Sequence, residues 1–236
     1  MQAQRRVIIF LGPPGSGKGT QGMRLGEALA IPVISTGELL RNECRAGTDL
    51  GRQIGAILQS GQLLADSQMN SMVAHRIAAA DCLHGCILDG FPRTVAQAEF
   101  LDNWLEQSGG AEVTVFDFLV SVDELIERLG KRRQCPKCGC IFSTRGEPLA
   151  NRMTCPNDRS LLVSRTDDQP DAIRNRLQIY QRNTGPLTKY YRRRGYHRIS
   201  AAKSPDFITE ELLGVLRPQS SNLTAANLVL AAHAIN

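Results

Sequence analysis

Three groups of residues in this chain have types and spacings suited to chemistry. The first is Gly12-Pro13-Pro14-Gly15-Ser16-Gly17-Lys18-Gly19-Thr20. Glycines at these intervals let backbone N–H groups turn inward around an anion. A helix starting at Gly17 adds the positive end of its dipole, and Lys18 can reach the outer phosphates of a nucleotide. The match to G-x4-G-K-[ST] is incomplete, because Gly19 stands where Ser or Thr is usual and Thr20 follows one residue later. Magnesium coordination by that hydroxyl is therefore left open. A glycine-rich turn that merely joins strand to helix is the plain alternative, and the lysine and flanking context weigh against it. The second group is Cys135-x2-Cys138 and Cys155-x2-Asp158, two short-spaced pairs that suit a tetrahedral zinc site on two knuckles. Pro136 and Pro156 follow ligand positions; Cys140 is an extra thiol that could compete or point away. Free thiols in a loop are the alternative. The third group is a scatter of arginines, whose planar, permanently charged forks pair bidentately with phosphate oxygens.

The elements that must position these groups alternate in type. Strand-like runs occur at 7–11, 32–35, 87–89, 113–120 and 196–200. Helical patterns are expected over 17–30, 37–45, 50–59, 67–80, 94–107, 123–133, from 170 onward and over 206–216. Strands alternating with helices imply βαβ units and a parallel sheet. Residues 134–168, rich in Cys, Pro, Gly and Arg, lack a helical period and read as an inserted subdomain. Residues 218–236 carry no Lys, Arg, Asp or Glu and read as a short apolar helix or a disordered tail.

At 236 residues the chain can bury a substantial core, and 42% hydrophobic with 22% charged residues argues against wholesale disorder. No apolar run approaches the ~18 residues of a membrane helix, and Gly12-Pro13-Pro14-Gly15 interrupts the N-terminal apolar run before it could serve as a signal peptide. A cytoplasmic protein is expected. A mild net charge of +5 fits a phosphate-bearing substrate as well as it fits nucleic acid. Seven cysteines, an odd number, favour metal or free thiols over disulfides in that compartment. Cys44, Cys82 and Cys86 have no partner at ligand spacing and read as buried or partly buried thiols.

The glycine loop, Ser35-Thr36-Gly37-Glu38-Leu39-Leu40-Arg41, and Asp89-Gly90-Phe91-Pro92-Arg93 with Gln97 following, in this order and spacing, resemble the adenylate kinases over residues 5 to about 216. The resemblance implies a P-loop NTPase-type α/β fold, a parallel sheet flanked by helices. It implies a core at 1–34, 65–130 and 169–217, a helical AMP-binding subdomain at 35–64 and a zinc-stapled lid at 131–168. It further implies that Gly12, Pro13, Gly15, Ser16, Gly17, Lys18, Gly19, Thr20, Arg128, Arg132 and Lys203 bind ATP. AMP would be held by Thr36, Gly37, Arg41, Leu64, Gly90, Arg93, Gln97, Arg165 and Arg176, with Arg93 on its phosphate and Gln97 at the adenine edge. Lys18, Arg93, Arg128, Arg132, Arg165 and Arg176 form the implied catalytic set, with Arg128 and Arg132 expected four apart on one helix face. Asp89 would hold Mg²⁺ through water in that family's pattern, and it ends a strand where open α/β sheets bind ligands. The lid resembles the Cys3Asp zinc lids of some bacterial members. The remaining arginines, Arg133, Arg174 and Arg192-Arg193-Arg194, read as solvated faces.

The expected reaction is ATP plus AMP giving two ADP, run reversibly by a monomer that binds neither nucleic acid nor membrane. No general base is assigned, since the phosphate oxygens of AMP are already ionised at neutral pH. A kinase for another monophosphate is the near alternative. A nucleic-acid-binding zinc ribbon joined to an NTPase is the distant one, and 5% aromatic residues leave it little stacking surface. An inactive relative finds no support, since every transferred position is filled.

Overall fold

The computed structural model describes residues 5–143 and 153–217. The expectations for the tail at 218–236 fall outside those residues. Five strands form one parallel sheet: β1 (Arg6–Leu11), β2 (Val33–Ser35), β3 (Gly85–Asp89), β4 (Glu112–Leu119) and β7 (Tyr196–Ser200), in the order β2-β3-β1-β4-β7. The central strand β1 explains why. Val7, Ile9 and Leu11 point into one apolar cluster and Ile8 and Phe10 into the other, so both faces are buried. A strand covered on both faces reads as a continuous hydrophobic run, as this one does.

Helices cover the two faces. On one side lie α4 (Asp66–Ile77), α5 (Val95–Gln107) and α8 (Gly185–Tyr191), with α2 (Thr36–Arg45) and α3 (Asp49–Ser60) adding Leu40 and Ile54 to that cluster. On the other side α1 (Lys18–Leu29) contributes Leu25, and α9 (Pro205–Leu216) contributes Ile208, Leu212 and Leu216. Thr48, Thr94, Ser121 and Ser204 cap α3, α5, α6 (Val122–Gly130) and α9 with side-chain oxygens.

Most expected elements stand within a few residues of their expected bounds. One expectation is corrected. The helix read over 123–133 ends at Gly130, and Arg132 belongs instead to β5 (Arg132–Gln134). Glycine is a poor helix former, and the chain then pairs in an antiparallel hairpin with β6 (Ile141–Ser143), which holds Arg132 opposite Ser143. Arg128 and Arg132 are therefore not on one helix face. After α7 (Pro170–Ile179) comes a π-helical turn, Tyr180–Thr184, that sequence periodicity did not foretell. Such turns recur near functional sites.

Among the described residues, no helix is long and apolar enough to cross a membrane.

Candidate active site and metal centre

The strand order decides where a ligand can sit. β1 runs to Leu11 and β3 to Asp89, side by side with Phe10 opposite Asp89, so both loops open at the carboxyl ends of neighbouring strands. A cleft of about 790 Å³ lies there. Its floor is the loop from Gly12 to Lys18. Gly12, Gly15 and Gly17 adopt φ of 141°, 85° and 96°, which only glycine takes up readily. At Gly15 a Cβ would fall 2.9 Å from Leu129 Cγ, so the loop also needs the missing side chain for packing. No side chain caps α1, and the N–H groups of its first turn have no helical acceptor; Gly17, Lys18, Gly19 and Thr20 of that turn line the cleft.

Lys18 folds back over this loop. Its Nζ donates to Gly12 O at 2.7 Å and to Pro13 O at 2.8 Å. Burial pulls its pKa down to about 8; Asp89 opposes the shift, while Arg93, Arg176 and Arg132 add to it. Arg93 stands across Asp89 from the loop. Its Nε donates to Gly90 O at 2.8 Å, Thr184 Oγ1 donates to its carbonyl at 3.1 Å, and its own N–H donates to Gln97 Oε1 at 2.7 Å. Burial lowers the Arg93 pKa below the usual guanidinium range. Among the described residues neither Lys18 nor Arg93 has a carboxylate at ion-pair distance.

The other cations of the cleft are paired. Arg165 binds Asp167 at 2.7 Å, Arg176 reaches Asp167 at 3.1 Å and Asp168 at 3.3 Å, and Arg132 forms a fork with Asp168. Arg41 pairs with Glu38 at 2.9 Å, and Arg128 pairs with Glu124 and donates to Ala201 O, each at 2.6 Å. Burial alone would raise the Asp167 carboxyl, but Arg176 and Arg165 outweigh it and hold it at about 2. Burial lowers Arg176 to about 10.

Of the residues expected at the site, the cleft is lined by Gly12, Gly15, Ser16, Gly17, Lys18, Gly19, Thr20, Gly37, Arg41, Asp89, Gly90, Arg93, Arg128, Arg132, Arg165, Arg176 and Lys203. Four others stand behind this wall. Pro13 contributes its carbonyl to Lys18, and Thr36 is buried with its hydroxyl donating to Gly90 O at 3.0 Å. Leu64 packs in the core while its neighbour Leu63 faces the cleft, and Gln97 is 2% exposed with its amide held by Arg93 and Asp66. Sequence reading missed Asp66, Leu63, Tyr180 and Thr184. Only the return of chain from distant elements brings them here, and no local motif marks them.

The donor set at Asp89 fits a cation that arrives on a nucleotide. It offers one carboxylate beside the phosphate loop, where a Cβ on Gly19 would lie 3.5 Å from Asp89 Oδ2. Mg²⁺ is commonly held by one or two carboxylates with phosphate oxygens and water completing its shell.

The second centre lies beyond β5. Ligand atoms of Cys135, Cys138, Cys155 and Asp158 all fall within 4.8 Å of one another. Cys138 and Cys155 Sγ are 3.5 Å apart, and Cys135 Sγ is 3.2 Å from Asp158 Oδ2. Tetrahedral bonds of zinc length would separate two sulfurs by about 3.8 Å and a sulfur from an oxygen by about 3.5 Å, so the four groups can hold a metal ion with little movement. Two similar turns present them: Cys135 O accepts from Gly139 N at 3.0 Å and Cys155 O from Arg159 N at 2.8 Å. Cys140 is outside this set; its Sγ accepts from Asn157 Nδ2 at 3.5 Å. The apolar support is small, with Cys135, Cys155 and Leu162 buried and Phe142 packed on them. Cys82 and Cys86 are buried and Cys44 half-buried, as expected.

Comparison with known proteins agrees with this geometry. The family model described as adenylate kinase matches residues 10–196. The chain is 42% identical over 189 residues to the adenylate kinase of Anaeromyxobacter dehalogenans, covering 80% of this chain and 88% of the relative. It is 44% identical over 188 residues to that of Moorella thermoacetica, covering 80% and 87%. Against that of Thermotoga neapolitana it is 39% identical over 211 residues, covering 89% and 96%. A glycine-rich phosphate cradle, two half-buried cations with no carboxylate partner among the described residues and a matching sequence over most of the chain lead to one conclusion: this protein belongs to the adenylate kinase family and is a nucleoside monophosphate kinase.

Proposed function

We propose that the protein catalyses reversible phosphoryl transfer between MgATP and AMP to give two ADP. The observation that carries this reading is the pair of half-buried cations Lys18 and Arg93, which line the cleft with Asp89 and have no carboxylate at ion-pair distance among the described residues. A charge drawn out of water without a partner is costly unless an anion joins it, and two such cations in one cleft suit two phosphate groups. Lys18 and the N–H groups of the loop are assigned to the triphosphate, with Arg128, Arg132 and Lys203. Arg93 and Arg41 are assigned to the monophosphate. Arg165 and Arg176 exchange part of their contact with Asp167 and Asp168 for the transferring phosphoryl group. Phosphoryl transfer of this kind needs in-line positioning and charge neutralisation rather than a protein nucleophile. Asp89 would hold Mg²⁺, which when bound supplies further positive charge to the phosphate oxygens.

Residues 35–64 and 131–168 are assigned as the AMP-binding and lid segments that close over the two nucleotides. Closure would exclude water and suppress idle ATP hydrolysis. Zinc is the metal proposed for Cys135, Cys138, Cys155 and Asp158, in a structural role, because all four positions are filled by protein. A thiolate site is stable in a reducing compartment, which supports a cytoplasmic location, and the protein is assigned as a monomer without nucleic-acid or membrane partners.

The test is direct. Purified protein with MgATP and each of AMP, GMP, CMP and UMP should form diphosphate rapidly with AMP, and should consume little ATP when no acceptor is present. Preference for another monophosphate would keep the fold and overturn the acceptor.

A further inference from the structure

The amide of Gln97 is held at both ends by groups whose hydrogen-bonding sense cannot change. The backbone N–H of Arg93 donates to Oε1 at 2.7 Å, and Nε2 donates to Asp66 Oδ1 at 2.7 Å. An N–H only donates and an ionised carboxylate only accepts. Turning the amide over would set N–H against N–H and oxygen against carboxylate. Asp66 is itself fixed: Thr94 Oγ1 donates to its Oδ2 at 2.8 Å while accepting from Gln97 N at 3.1 Å as the cap of α5. Each polar atom of the Gln97 amide keeps capacity for one more hydrogen bond, a second N–H on Nε2 and a second lone pair on Oε1. The amide therefore offers one donor and one acceptor in a fixed order.

We propose that Asp66 is a specificity-determining positioning residue: by fixing the polarity of Gln97 it selects a base that presents an acceptor ring nitrogen beside an exocyclic amino group. Adenine has that edge, with N1 accepting and the 6-amino group donating. A 6-oxopurine inverts it, with a donating N1–H beside an accepting oxygen, and meets like against like. Leaving buried polar groups mispaired is the strongest means a pocket has of rejecting a near-isostere. The inference rests on the reading that AMP is the acceptor and that Gln97, 2% exposed behind the cleft wall in the free protein, meets its base when AMP binds.

AMP and IMP isolate this effect, because they differ only at N1 and C6. Steady-state kinetics with both acceptors would be compared for the wild type, Asp66→Asn and Asp66→Ala. Asparagine can turn either an oxygen or an N–H toward Gln97, so it removes the lock while keeping the shape. The ratio of kcat/KM for AMP over IMP should fall roughly tenfold in both variants, through KM for the acceptors, with kcat for AMP and KM for ATP nearly unchanged. A wild type that uses AMP and IMP equally would sink the reading of Gln97 and this inference together. A wild type that prefers AMP, with variants that keep the ratio or lose both acceptors in proportion, would leave the AMP reading standing and make Asp66 merely structural. Should the variants not fold, hydrogen exchange of the Gln97 side-chain amide in the wild type decides. One of its two protons should be protected in the free protein and the second only with AMP, not IMP; two unprotected protons in the free protein overturn the proposal.

Discussion

At the scale of single residues, the cleft is governed by burial set against charge. Lys18 has a pKa of about 8, below its ordinary 10.5, mainly because it is buried. In the free enzyme it loses its proton as pH rises through about 8, and the neutral amine attracts a triphosphate far less. We expect kcat/KM for ATP to fall about tenfold per unit above that pH, while kcat holds to higher pH because bound phosphate restores the proton. A profile flat to about pH 9.5 would show that Lys18 does not titrate in this range. Asp167 shifts the opposite way, to about 2 from an ordinary 3.8. A carboxylate held low stabilises the fold above its unfolded pKa and loses that contribution as pH falls toward the folded value. Its contribution is on the order of 2 kcal/mol, present above about pH 4 and lost on descent to about pH 2. Denaturant unfolding across that range should show the loss in the wild type, and Asp167→Asn should remove most of this dependence.

At the scale of elements, the loops that end β1 and β3 do the positioning, and glycine makes their paths possible. Gly90 has φ of 87°, and a Cβ there would meet Thr36 Oγ1 at 2.6 Å and an Arg93 nitrogen at 3.0 Å. Gly90→Ala should therefore cost roughly 1–3 kcal/mol of stability. It should cost activity beyond that, because the strain falls on the arginine assigned to the monophosphate. The check is kcat/KM for AMP measured where the variant is still fully folded; full activity there would separate Gly90 from the positioning of Arg93. These loops were legible in sequence because glycine, lysine and aspartate mark them locally. The end of α6 was misjudged because helical periodicity runs on through Lys131 and Arg132, and pairing with β6, absent from any local window, captures those residues.

At the scale of the whole molecule, the zinc proposed for Cys135, Cys138, Cys155 and Asp158 would substitute for a core that the proposed lid segment is too small to build. The sheet is enclosed by two apolar clusters, whereas the segment beyond β5 buries little besides Cys135, Cys155 and Leu162. Chelation should therefore unfold the lid by itself. Amide protection should vanish at Gln134, Cys155 and Val163 while β1, β3 and β4 keep theirs. Metal analysis of protein prepared without chelator should give about one zinc per chain, as one closed tetrahedral site holds one ion. Absence of metal, or protection that survives chelation, would overturn the structural role.

The sequence by itself determined the βαβ order, the phosphate loop, Asp89 and the Cys3Asp ligand set, because each depends on residues close together in the chain. Glycine conformations, strand periodicity and ligand spacing are local properties. Only the tertiary structure decided that Arg93 and Lys18 have no carboxylate partner among the described residues while Arg132, Arg165 and Arg176 are shared between Asp167 and Asp168. It alone brought Asp66 of α4 against Gln97 of α5, and turned Leu63 rather than Leu64 toward the cleft. Hydrogen-bond polarity and ion pairing at such a site depend on which groups meet after folding, across 31 residues for Asp66 and Gln97 and 36 for Arg132 and Asp168. No spacing rule carries information over that distance.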